Sequence, residues 1–342
     1  MRALLFFAAV SAYAAGGPCI TANQTCTEWV SLGGSSRSLI YRTYPLEGKN
    51  RNITRALIMV HGAGRDADNY FRTALAAAFL GNALEDTIVI APRFASNDGR
   101  SCKDNLAANE VSWTCGGNSW RSGGPGLNDA KVTSFDLVDE ILRRLARKSV
   151  FPNLKAIVVA GHSAGGQYVT RYEMSNKVHD SLGVPVTYVV SNPSSYAYLD
   201  ATRPTGDGKD FRAYADEKCA NYDRWPYGLE NHTGYTGGMP DDLLRKQLAA
   251  RPVTYLLGEI DILPLGGFDS SCSAMAQGPT RLARGQAFAN YVNQKWGAKH
   301  AVVVAPLCGH NARCMFTAEV ALPIIFPKLG GAAAGAKETS GQ

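Results

Sequence analysis

The pentapeptide Gly161-His162-Ser163-Ala164-Gly165 is the most reactive pattern in this chain. A serine flanked at two residues' distance by glycines suits a turn too tight for a side chain at either flank, and such a turn leaves the serine Oγ exposed. The turn needs a strand before it and a helix after it. The apolar run Lys155-Ala156-Ile157-Val158-Val159-Ala160 supplies the first, and Gly166 to Ser175 supplies the second. The N-terminus of that helix brings unpaired N–H groups and positive dipole charge to the point where an anionic intermediate would form. G-x-S-x-G alone is also a plain glycine turn; the flanking strand and helix favour Ser163 as a nucleophile.

A serine hydroxyl at its own pKa is a weak nucleophile and needs a base that is itself held by a third group. On a doubly wound α/β scaffold the three follow in the order Ser, Asp or Glu, His, each in a loop after a strand. Six histidines narrow the search. His162 is inside the elbow, where its ring cannot face the neighbouring Oγ. His179 and His232 precede the last two strands, and His300 opens the final one at the wrong edge. His310 follows that strand in Ala305-Pro306-Leu307-Cys308-Gly309-His310-Asn311, so it is the expected base. Leu256-Leu257-Gly258-Glu259-Ile260-Asp261 ends the preceding strand and makes Asp261 the expected acid, against its rivals Glu259, still on the strand end, and Asp269, further along. His61-Gly62-Ala63-Gly64 after an early strand offers the other half of an oxyanion hole, the N–H of Ala63 or Gly62 pairing with that of Ala164. By itself that tetrapeptide reads equally as a glycine turn.

These residues need a sheet to carry them. Ser38 to Tyr44, Arg55 to Val60, Thr87 to Pro92, the elbow strand, Val186 to Val190, Val253 to Leu257 and Ala301 to Val304 read as strands. Tyr70 to Leu80, Val132 to Arg147, Asp241 to Ala250, Arg281 to Trp296 and about Thr317 to Phe326 read as helices. Strands alternating with helices predict a doubly wound, mainly parallel sheet with helices on both faces. The expectation is one domain over 15–328, with two irregular insertions near 93–129 and 191–239, where ligands bind in such sheets, and a flexible tail at 329–342. Trp113, Trp120, Tyr196, Trp225 and Tyr227 lie in the insertions. They read either as aromatics that stack on a phenolic or polymeric substrate, with Trp113, Trp120, Trp225 and Tyr227 as the candidate contacts, or as the insertions' own small core.

The chain has 342 residues, is 45% hydrophobic and carries a net charge of +6 with no dense basic block. That speaks against a nucleic-acid partner and a polybasic membrane anchor, and no apolar run is long enough for a membrane span. Residues 1–14 read as a secretory signal: Met1-Arg2, apolar Ala3 to Val10, then Ala12-Tyr13-Ala14 as the cleavage site. All eight cysteines follow it, which predicts an exported, extracellular or periplasmic protein with four disulfides. There is no C-x-x-C pair, so neither a metal nor a redox centre is expected. The short loop between Cys308 and Cys314 suits a local bridge around His310, with a distant partner such as Cys272 as the alternative. Sequons at Asn23, Asn52 and Asn231 are glycan acceptors if the host glycosylates. Oligomeric state is not legible.

Taken in order, HGAG, GHSAGG, GEID and CGH resemble the α/β-hydrolase superfamily, in particular its secreted esterase, lipase and polyester-depolymerase branches, over about residues 37 to 326. The resemblance implies about eight mainly parallel strands, a Ser-His-Asp triad of Ser163, His310 and Asp261, and hydrolysis through an acyl-enzyme without a cofactor. The expected activity is cleavage of carboxylic esters, small or polymeric. A serine peptidase or amidase on the same scaffold is the first rival, and a non-catalytic binding protein that retains the fold is the second. The superfold hosts many chemistries, so it implies no particular substrate.

Overall fold

The structure, a computed structural model, describes residues 16–99, 102–115 and 120–329. The expected signal segment 1–14 and, beyond Leu329, the expected tail lie outside the described residues. The strands are Thr27–Gly33 (β1), Ser36–Arg42 (β2), Arg55–Val60 (β3), Thr87–Pro92 (β4), Ala156–His162 (β5), Val186–Ser191 (β6), Thr202–Thr205 (β7), Asp210–Ala213 (β8), Val253–Gly258 (β9) and Ala301–Ala305 (β10). The α-helices are Ala67–Leu80 (α1), Ser134–Leu145 (α2), Ala164–Ser175 (α3), Asp241–Ala250 (α4), Cys272–Met275 (α5), Arg281–Trp296 (α6), Ala312–Thr317 (α7) and Leu322–Ile325 (α8).

Near-continuous apolar strands must be buried on both faces, and that requirement builds the sheet. Its order is β1-β2-β4-β3-β5-β6-β9-β10, with β7 and β8 forming a separate hairpin in the second insertion. From β4 through β3, β5, β6, β9 and β10 all pairings are parallel; β1–β2 and β2–β4 are antiparallel. Because strand side chains alternate, Ile58 and Val60 of β3, with Ile157 and Val159 of β5, join a core beneath α2, α3, α4 and α6. Leu57, Met59, Val158 and Ala160 point the other way, onto α1, α7 and α8. The expected two-faced, mainly parallel, eight-stranded sheet is the one observed.

Several elements depart from expectation, among them the β7–β8 hairpin, within the stretch 191–239 expected to be irregular, and the short helix α5. β1 was not foreseen: its half-buried, mixed composition gives no clean period, and it exists because β2 offers it an antiparallel edge. Of the last expected helix, about Thr317 to Phe326, only Leu322–Ile325 (α8) is helical, and α7, Ala312–Thr317, lies almost wholly ahead of it. Elsewhere α4 and α6 begin and end where the periodicity places them. The cysteines pair as Cys19–Cys26, Cys102–Cys115, Cys219–Cys272 and Cys308–Cys314. The local bridge around His310 is therefore present, and Cys272 is committed to Cys219 in the second insertion.

Candidate active site

β5 ends at His162 and α3 starts at Ala164, so the whole reversal falls on Ser163, at φ 59°, ψ −119°. A residue with a side chain is held in this sparsely populated region only when its surroundings fix it. The surroundings here are backbone. A Cβ on Gly161 would sit 2.3 Å from the Gly165 carbonyl oxygen, and one on Gly165 would sit 2.3 Å from the Val60 oxygen and 2.6 Å from that of His61. The two glycines of the pentapeptide therefore let the elbow close on itself and dock against the end of β3. That same end continues into the His61-Gly62-Ala63-Gly64 turn, which is how two segments distant in sequence come to flank one serine.

The loops after β9 and β10 bring the other groups. His310 Nε2 lies 2.9 Å from Ser163 Oγ, and His310 Nδ1 lies 2.8 Å from Asp261 Oδ2. A carboxylate accepts only, so Nδ1–H donates to Asp261 and Nε2 keeps its lone pair toward the serine. Of the rival acids, Glu259 accepts the Leu307 N–H at 2.8 Å, and Asp269 accepts the Tyr227 hydroxyl and the Ser271 N–H. Of the other histidines, His300 is buried between the Tyr255 hydroxyl and the Leu248 carbonyl, and His232 faces Asp241. The structure thus gathers Ser163, Asp261 and His310 and leaves their rivals elsewhere.

Ala164 is the first residue of α3, a position whose N–H has no intrahelical acceptor. Across from it, Gly62 is close enough that an added Cβ would be 3.8 Å from Ser163 Cβ, but that Cβ would meet the Tyr70 hydroxyl at 2.7 Å. The Tyr70 hydroxyl thus sits against Gly62, in the turn where the second oxyanion donor is expected. His61 braces the same turn. Nε2 of His61 accepts the Phe94 N–H at 3.1 Å, so Nδ1 carries the proton and donates to the Gly62 carbonyl at 2.9 Å. Pinning that carbonyl fixes the Gly62–Ala63 peptide plane and turns the trans N–H of Ala63 to the opposite side.

Burial pushes His61 down to about 4, and it holds His162 well below the ordinary histidine value, with the nearby His310 and Arg281 adding to the effect. His162 lies beside His310 with ring centroids 4.6 Å apart and the rings tilted by 38°. A neutral His162 spares His310 a second cation at close contact. An unfolded chain protonates His61 below about 6.5, whereas the folded chain does so only near 4. The stability due to neutral burial is therefore complete above about 6.5 and lost as pH falls toward 4, by about 3 kcal/mol for His61. Glu173 and Asp139, pushed up by burial, act in the opposite sense, so the effect is read as a difference. In urea unfolding, the stability gap between wild type and His61→Gln is expected to narrow by about that amount from pH 7 to pH 4. A constant gap would contradict the neutral, buried imidazole.

The aromatic candidates divide. Trp113 and Trp120 are not substrate contacts: both are fully buried, Trp120 stacked on Phe94 with centroids at 5.3 Å and tilted over His61 at 4.9 Å. They are the first insertion's core and the packing behind the His61 turn. Trp225 is half-buried against His232, and Tyr227 is half-buried with its hydroxyl on Asp269. Sequence reasoning missed Tyr70, Arg281 and the orienting role of His61. Only His61 carried a signal, its place at the head of the glycine turn.

Residues 57–321 match the alpha/beta hydrolase family. Among solved structures, poly(aspartic acid) hydrolase-1 from Sphingomonas sp. KT-1 is 21% identical, with 84% of this chain and 94% of that one covered and a TM-score of 0.57. The poly(3-hydroxybutyrate) depolymerase LpqC from Bordetella parapertussis is also 21% identical, covering 88% of this chain and 90% of its own, with a TM-score of 0.60. At that identity both likenesses are of fold. No curated protein matches the sequence significantly.

Proposed function

From the chain's membership of the alpha/beta hydrolase family, we propose that it is a serine hydrolase that cleaves carboxylic esters through an acyl-enzyme. The observation that carries the proposal is the continuous hydrogen-bonded line Ser163 Oγ, His310, Asp261. Ser163 Oγ attacks the ester carbonyl while His310 Nε2 takes its proton. Asp261 holds the imidazole in the required tautomer and stabilises it once charged, and the N–H groups of Ala164 and Ala63 receive the oxyanion. His310 then returns the proton to the leaving alcohol, and water, activated the same way, releases the acid and frees the serine. Every step uses groups of this chain.

Trp225 and Tyr227, which keep partly exposed faces, are proposed to border the substrate. Four disulfide pairs, together with the absence among the described residues of any helix long and apolar enough to cross a membrane, fit export to an extracellular or periplasmic space. The test compares turnover of short and long acyl nitrophenyl esters with that of peptide anilides, alongside labelling by a fluorophosphonate probe. Labelling at Ser163 with ester turnover well above anilide turnover supports the proposal. Preferential anilide cleavage would make the protein an amidase or peptidase, and failure to label would remove the serine mechanism.

A further inference from the structure

Arg281 opens α6 and its side chain is fully buried, an unusual place for the first residue of a helix that starts at the surface. Each of its nitrogens is used. Nη1 donates to Asp261 Oδ1 at 3.3 Å, Nε to Ser194 Oγ at 2.8 Å, and Nη2 to the carbonyls of Leu265 and Gly266 at 2.7 and 3.0 Å. The Phe268 ring lies 5.2 Å from its guanidinium carbon. Asp261 is as deeply buried, with a side chain 1% exposed, and its two oxygens are divided: Oδ1 to Arg281, Oδ2 to His310. The loop that Nη2 holds also touches the base, since a Cβ on Gly266 would lie 3.2 Å from His310 Cδ2.

We propose that Arg281 is a positioning residue that completes the triad from behind, holding the Asp261 carboxylate turned so that Oδ2 stays on His310. The proposal rests on the serine-hydrolase reading and adds to it a fourth side chain, which contacts neither substrate nor reacting atoms. The physical reason is desolvation. A carboxylate buried this completely is unfavourable unless a cation and hydrogen bonds replace water, and removing one partner of such a pair is far more damaging than removing both. An arginine suits the task because its planar fork can take a carboxylate, a hydroxyl and two carbonyls at once; a lysine supplies charge at a single point. Without the guanidinium, Asp261 would be free to rotate, which weakens its hold on the imidazole.

A plain alternative is that Arg281 only clamps the 265–266 loop. A four-protein comparison of wild type, Arg281→Lys, Asp261→Asn and the double variant separates the two, read by the rate of fluorophosphonate labelling of Ser163, which requires no known substrate. If Arg281 acts through the carboxylate, Arg281→Lys lowers the maximal labelling rate by about a hundredfold, the scale of a misplaced catalytic group. The half-saturating probe concentration should stay within about threefold. In the Asp261→Asn background the same substitution lowers the rate by less than about threefold, because the group it served is gone. Equal losses in both backgrounds would reduce Arg281 to a loop clamp and overturn the proposal. Should Arg281→Lys not fold, Arg281→Gln takes its place. A single Gln variant that fails to fold, while Asp261→Asn/Arg281→Gln folds, supports the pairing, since only the single variant strands a buried charge. Failure of the double variant as well overturns it. Absence of labelling in the wild type is a different result, and strikes at the serine-hydrolase reading itself.

Discussion

Ser163→Ala is expected to lower kcat on any ester substrate by on the order of 10⁶-fold while leaving the protein folded. The size follows from Ser163 as the proposed nucleophile: among the described residues, no other hydroxyl or thiol is hydrogen-bonded to His310 Nε2. What survives is oxyanion stabilisation and binding, roughly 10³–10⁴-fold over water. The fold should tolerate the change because alanine keeps the Cβ, so the left-handed backbone at this position gains no new strain, and the bond lost is a half-buried one. Single-turnover kinetics and an unchanged denaturation midpoint check both halves. Turnover within tenfold of wild type would place the chemistry at another residue.

The second large effect falls on the acid. Asp261→Asn preserves shape but inverts the tautomer: an amide N–H facing His310 Nδ1 makes that nitrogen the acceptor and puts the proton on Nε2, against Ser163, where a base is needed. A loss of about 10⁴-fold in kcat is expected. Glu259→Gln, two residues away, should alter kcat by less than about threefold, because the Leu307 N–H it receives can be accepted by an amide oxygen equally well. The pair is informative because the two carboxylates compete for the same role in sequence, whereas in the structure Asp261 is buried against His310 and Arg281 and Glu259 is exposed and accepts the Leu307 N–H. Comparable losses from both substitutions would mean that the loop rearranges and that the separation between them does not describe the working enzyme.

The chain's own pattern determines the central sheet, the elbow and the order of Ser163, Asp261 and His310. The reason is local. Apolar runs such as Arg55–Val60 and Thr87–Pro92 have no other stable fate than a strand buried on both faces, and the glycines around Ser163 are demanded by contacts within and just beside the turn. The Cys308–Cys314 bridge was legible for the same reason, its loop being short, whereas Cys219–Cys272, 53 residues apart, was one pairing among many. What only the tertiary structure decides are the roles set by distant neighbours. β1 is a strand because β2 is beside it. Trp113 and Trp120 are core because the Phe94 and His61 rings close over them. Arg281 is the clearest instance: at the start of an amphipathic helix an arginine reads as a solvated group, and nothing within its own turn says otherwise. It is buried because Ser194, in the loop after β6, and Asp261, Leu265 and Gly266, in the loop after β9, supply the acceptors that water would have supplied.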